Sequence, residues 1–235
     1  MKKLYQKDEV WFAVIWIILY VVGFSLGDGL SDKLGMPKLL TCAVGLAMIV
    51  VLFRFVKRNS LMGYYGLCSP KADRKRLLLY LPLTVISSVN LWNGIAVQAP
   101  PVEIFTHIFS MAMVAFLEEL IFRGLLFNGM RKSGLTAAII VSSLTFGMGH
   151  IVNLLTGAAV LDTLLQLVYA SAIGFCFTAL FVTTGSIIPC ILSHAAVNCM
   201  SIFAIESGPE GKIITAAVQT VLGIGYGIWL LRREK

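Results

Sequence analysis

The sequence predicts an all-α, polytopic membrane protein, a bundle of about eight transmembrane helices. Two observations carry this: 58% of its 235 residues are hydrophobic with only 13% charged, and apolar stretches near the ~20 residues a bilayer needs recur between short polar or Gly/Pro-containing breaks. A third is where the bases sit. The formal charge of +7 comes from Lys and Arg in the connections, so it reports topology rather than a nucleic-acid surface.

Taken in order, the spans read as Trp11–Leu26, Leu39–Val56, Leu77–Val97, Ile104–Phe127, Leu135–Thr156, Thr163–Thr183, Ser186–Ile205 and Ile213–Leu231. The start, MKKLYQKDEV, precedes an apolar run without a small-x-small cleavage site, and reads as a retained first span. The longer link from Lys57 to Arg76 is basic and holds Ser69-Pro70, as suits a surface loop. The whole chain, 1–235, reads as a single transmembrane domain, with residues 104–205 as its motif-bearing core. Eight spans place both termini on one side. With that side cytoplasmic, Lys2, Lys3, Lys7, Lys57, Arg58, Lys71, Arg74, Lys75, Arg76, Arg131, Lys132, Arg232, Arg233 and Lys235 face inward, and only Lys33, Lys38 and Lys212 face outward. The expected setting is a multi-pass protein of the cell membrane, surrounded by lipid and without a nucleic-acid partner.

The five cysteines, Cys42, Cys68, Cys176, Cys190 and Cys199, share no CxxC spacing and read as reduced packing residues. Trp11, Trp16, Trp92, Trp229 and Tyr226 read as interfacial anchors, and Arg54 as a snorkelling base. His107, one turn after Glu103, reads as an interfacial pair. The glycines of GIGYG, Gly223 to Gly227, read as helix packing, because no strand precedes them to make a nucleotide loop.

Charged side chains inside a span cost at least ~2.5 kcal/mol each and mark function or a polar clamp. AFLEELIFRGLLF holds Glu118, Glu119 and Arg123. On an α-helix Glu119 and Arg123 lie roughly 40° apart and can pair, whereas Glu118 is turned roughly 100° from Glu119 and is free to point elsewhere. The fifth span carries FGMGH, with Phe146 and His150 on one face and Gly147 and Gly149 thinning the helix for a close approach. In the seventh, SHAAVN puts His194 and Asn198 on one face, and Pro189 before them is expected to free a carbonyl or bend the helix. Ser193 and Cys199 fall on other faces and are not assigned as nucleophiles.

A buried carboxylate at Glu118 beside an imidazole can activate water, and His194 with Asn198 can hold an oxyanion. A zinc site is the alternative, with Glu118, His150 and His194 as ligands. The HExxH string of helix-borne zinc proteases is absent, and Asn198 suits an oxyanion better than zinc, so a cofactor-free mechanism is favoured.

These residues resemble the CAAX protease and bacteriocin-processing (CPBP, Abi) family of intramembrane endopeptidases. EExxxR matches as Glu118, Glu119 and Arg123, FxxxH as Phe146 and His150, and HxxxN as His194 and Asn198. The resemblance implies a glutamate-dependent protease in which Glu118 and His150 activate water, His194 and Asn198 form the oxyanion site, and Arg123 organises. Glu119 and Phe146 are organising positions with it. It further implies a peptide or lipidated-protein substrate, with trimming of prenylated CAAX proteins at the cytoplasmic face in some members and bacteriocin maturation or self-immunity in bacterial ones. A proton-coupled transporter and a non-catalytic, peptide-binding immunity protein are the rival readings. Oligomeric state is not legible.

Overall fold

A computed structural model describes residues 1–70 and 78–233. Lys71, Arg74, Lys75, Arg76 and Lys235, counted above among the inward-facing bases, lie outside the described residues, as does Leu77, the first residue of the expected third span.

A short helix α1 (Lys2–Lys7) leads into α2 (Glu9–Lys33), whose start is capped by the Asp8 carboxylate accepting from the Val10 and Trp11 amides. Then follow α3 (Leu39–Arg58), α4 (Leu78–Ser87), α5 (Pro101–Arg131), α6 (Leu135–Thr156), α7 (Val160–Thr184), α8 (Ile188–Phe203) and α9 (Pro209–Arg233). Six of these, α2, α3, α5, α6, α7 and α9, are long and apolar enough to cross a membrane. The expected all-α membrane bundle is observed, but two of the eight spans are short helices.

The third span breaks for local reasons. Pro82 sits in the first turn of the α-helical part, Leu81–Ser87, and beyond Ser87 polar side chains compete with the helix ladder: Ser88 Oγ donates to Val85 O at 2.9 Å and receives Trp92 Nε1 at 3.0 Å. Gly94, at φ 105°, then turns the chain out of the helical region. In the seventh span Pro189 likewise occupies the first turn, so it starts α8 rather than bending it. The two short elements lie side by side. Ser87 Oγ meets Ser193 Oγ at 2.9 Å, Asn90 Nδ2 donates to Val197 O at 2.7 Å, and Ala96 N to Phe203 O at 2.9 Å. Irregular backbone at membrane depth survives only with such protein partners.

The long helices pack through small residues, as lipid requires. A Cβ on Gly147 would lie 2.8 Å from Leu167 O, so α6 and α7 touch backbone to backbone there; one on Gly223 would lie 2.6 Å from Ala172 O, joining α9 to α7. The packing role expected of GIGYG is therefore seen at Gly223.

The ends of the bundle are tied separately. At the end where α2 begins and α9 finishes, hereafter the basic face, Lys132 Nζ reaches Glu9 Oε1 at 2.7 Å, Asn128 Nδ2 donates to Tyr64 O at 3.1 Å, and Ser186 Oγ to Cys68 O at 2.6 Å. At the opposite face, Lys38 pairs with Asp28 at 2.8 Å and Lys212 with Asp162 at 2.7 Å. Two further expectations are corrected. Trp16 is 5% exposed and belongs to the core, packed on Phe12, instead of anchoring at an interface. His107 Nε2 contacts Ser201 Oγ at 3.0 Å and Asn198 O at 3.3 Å, so it ties α5 to α8 rather than pairing with Glu103. All five cysteines are free thiols.

Candidate active site

The site is built on α5, which changes its winding at the charged motif. From Glu119 to Leu126 the helix is π-type, with the Phe127 amide reaching back five residues to Phe122 O. That same carbonyl accepts Ser142 Oγ from α6 at 3.0 Å. Widened turns of this kind are frequent at functional sites, because they re-aim side chains from a helix that otherwise repeats.

Within the widened segment Arg123 Nη1 donates to Glu119 Oε1 at 3.1 Å, and both side chains are sealed, at 0% exposure. The pair expected at this spacing is therefore present. The guanidinium lies 4.1 Å over the Phe146 ring and 5.7 Å from that of Phe177, so α6 and α7 supply a cation–π environment for its face. Gly174 makes room: a Cβ there would lie 2.9 Å from Arg123 Nη2.

Glu118 points away from this pair. Its Oε1 accepts a hydrogen bond from the Tyr20 hydroxyl of α2 at 2.6 Å, while Oε2 lies 3.5 Å from His194 Nε2. Oε2 has no hydrogen-bond partner among the described residues, which leaves its lone pairs available.

His194 stands between the two carboxylates. Its Nδ1 meets Glu119 Oε1 at 2.8 Å. A carboxylate that already accepts from Arg123 accepts here too, so Nδ1 carries the hydrogen and Nε2 is the nitrogen turned toward Glu118. Phe146 is the hub of the arrangement. Its ring packs edge-on against His150 at 5.6 Å, His194 at 5.8 Å and Phe122 at 5.3 Å between centroids.

Glu118, Phe146, His150 and Asn198 line one cavity of about 680 Å³, within the range of small-ligand sites. Its walls mix Val21, Phe24, Met111 and Val114 with Asn90, Asn153, Gln166 and Gln219. The seven motif residues from α5, α6 and α8 are thus gathered in one region. Three of them (Glu119, Arg123, His194) lie off the cavity lining, and four (Glu118, Phe146, His150, Asn198) are part of it. Of His194 and Asn198, expected to point at one spot, only Asn198 belongs to the cavity lining; His194 lies beside Glu118, one turn from Asn198.

Tyr20 is the residue that reading the sequence missed. It lies outside the three motifs, and a tyrosine in an apolar run carries no periodic or charge signal. Zinc was the cofactor to weigh, with Glu118, His150 and His194 as ligands. Among the described residues no three His, Cys, Asp or Glu side chains are grouped to hold a metal ion. His194 Nδ1 and Glu118 Oε1 are held by Glu119 and Tyr20, which leaves Nε2 and Oε2 turned toward each other at 3.5 Å.

Residues 100–200 match the family model described as Type II CAAX prenyl endopeptidase Rce1-like. The match begins at the start of α5 and ends within α8, so it contains every motif residue and excludes Tyr20. No curated protein matches the chain.

Proposed function

We propose, for a chain whose residues 100–200 match the model of the Rce1-like type II CAAX prenyl endopeptidases, that it is an intramembrane protease in which Glu118 is the general base. The observation that supports this most directly is the asymmetry of Glu118: one oxygen fixed by Tyr20 at 2.6 Å, the other without a hydrogen bond among the described residues and 3.5 Å from His194 Nε2, on a side chain that lines a cavity with His150 and Asn198.

In the proposed reaction a water molecule hydrogen-bonded between Glu118 Oε2 and the His150 imidazole attacks a peptide carbonyl. Glu118 takes the water's proton and passes it to the leaving amine nitrogen as the C–N bond breaks, leaving a carboxylic acid and an amine. Asn198 Nδ2 donates to the tetrahedral oxyanion, stabilising the charge that develops there. His194 can join it only with a hydrogen on Nε2, that is, as the imidazolium held through Nδ1 by Glu119. Glu119 and Arg123 form a neutral support whose burial keeps His194 in place. A role in bacteriocin maturation or self-immunity is the finer form of this proposal.

The test uses purified protein in detergent with internally quenched peptides, with and without a lipidated C-terminal cysteine. Wild type is expected to cut, and Glu118→Gln and His150→Ala to lose at least 100-fold in kcat, with a strong chelator leaving wild type unchanged. Equal turnover by all three proteins would remove the assignment, and a chelator-sensitive activity restored by zinc would replace the cofactor-free mechanism.

A further inference from the structure

The direction in which the cavity runs has a consequence for the substrate. From Glu118 at its base it follows α2 through Ser25 to Asp28, and it reaches Lys38 and Thr41 at the start of α3, Thr156 at the end of α6 and Ser201 near the end of α8. All of these lie toward the face opposite the basic one. On the other side of Glu118 the bundle is closed. Leu120, Ile121, Leu125 and Phe127 of α5 pack with Tyr65 and Ile187 into a core in which each is essentially inaccessible. Among the described residues the lining of the hollow extends toward that face and not toward the basic one.

The bases decide which face that is. Lys2, Lys3, Lys7, Lys57, Arg58, Arg131, Lys132, Arg232 and Arg233 crowd the closed end, against Lys33, Lys38 and Lys212 at the open one. Such a bias puts the closed end in the cytoplasm. The two bases of the open end described above, Lys38 and Lys212, are moreover each paired with an aspartate.

We propose that the hollow takes its substrate from the extracytoplasmic side: a secreted or translocated peptide, entering as an extended segment of apolar and uncharged polar residues, and not a lipidated C-terminus presented in the cytoplasm. The walls between mouth and base carry Phe24, Met111 and Val114 beside Asn90, Asn153 and Gln219, which suits such a segment. A strongly charged one would be stripped of water without a partner. The inference rests on the protease reading for its chemistry, but the direction of entry rests on geometry and charge alone.

Right-side-out and inside-out vesicles from expressing cells, each given a membrane-impermeant quenched peptide of apolar and uncharged residues, separate the two. Cleavage in detergent and in right-side-out vesicles, at least tenfold faster than in inside-out ones, is the expected result. Cleavage in detergent but faster in inside-out vesicles overturns the direction and leaves the protease intact. Absence of cleavage in detergent removes the protease, and the direction is then decided without activity. Ser25→Cys places a thiol on the cavity wall, Thr156→Cys places a second one near the mouth, and exposed Cys68 marks the basic face. An impermeant maleimide should label either new thiol, as a gain over wild type, in right-side-out vesicles, and Cys68 in inside-out ones. New label from inside-out vesicles alone, new label from neither preparation, or Cys68 labelled in right-side-out vesicles overturns the proposal.

Discussion

Toward the basic face Phe12, Leu52, Val56, Phe127 and Ile187 interlock with almost no accessible surface, whereas toward the opposite face the same bundle of helices parts around a cavity of about 680 Å³. The motif residues sit at the boundary between these halves. The pair Glu119 and Arg123 belongs to the solid half, and Glu118, one residue earlier, opens into the hollow one. Adjacent residues on a helix point roughly 100° apart, so the two neighbouring carboxylates answer to different surroundings. The contrast teaches that an intramembrane charge can be structural or chemical according to which half it faces.

The largest effect should come from removing the sealed cation. Arg123→Ala leaves Glu119 buried without its counter-charge, and breaking a buried pair in this way costs about 3–5 kcal/mol. Thermal unfolding in detergent should show a loss large enough to reduce the yield of folded protein. Near-normal melting would mean that the solid half does not depend on its charges.

Tyr20→Phe tests the boundary itself. It removes only the hydroxyl that fixes Glu118 Oε1, and hydrogen bonds to charged groups are worth about 1.5–3 kcal/mol. If that fixation serves the reaction, kcat should fall about 10- to 100-fold with KM little changed and the folded fraction retained. A fall in stability with unchanged kcat would make Tyr20 a packing residue.

Two glycines two residues apart sharpen the contrast further. A Cβ on Gly147 meets Ser171 Oγ at 1.9 Å and the α7 backbone at 2.8 Å, while one on Gly149 meets nothing within 4 Å. Gly147→Ala should cost about 1–3 kcal/mol by overpacking, and Gly149→Ala, on the cavity side, should melt with wild type. Equal melting temperatures for the two variants would break the distinction between the halves.

Much of this was legible in the sequence, for a physical reason: lipid makes polar residues inside apolar runs rare, so Glu118, Glu119, Arg123, His150, His194 and Asn198 announce themselves. The Glu119–Arg123 pairing followed from spacing, and it survives in the π segment because one wider turn still keeps these two side chains on one face. The π winding was hidden, since Leu120 to Phe122 are unremarkable helix formers and the Phe122 carbonyl takes a second donor, Ser142 Oγ, from a different helix. Tyr20 was hidden because its role depends on which helix α2 meets. The broken third span could have been seen: Ser87, Ser88, Asn90 and Gly94 interrupt a run whose mean hydropathy alone looks continuous. The direction of the cavity needed the packing of all the helices at once.

The smallest expected effect concerns the seam that closes the solid half at the surface. Lys132 donates to Glu9 Oε1 at 2.7 Å, but its side chain is 64% exposed, and such pairs contribute at most about 1 kcal/mol. The hydrogen bond to Glu9 pushes the Lys132 ammonium above its ordinary value of 10.5. Whatever stability the pair adds is therefore complete below that value and disappears as pH rises past it. Lys132→Ala should lower the melting temperature slightly at neutral pH, with the difference from wild type closing in strong alkali. Should this variant instead unfold as readily as Arg123→Ala, the closed end would be held by a surface staple rather than by packing, and the two halves would differ in their fastening more than in their solidity.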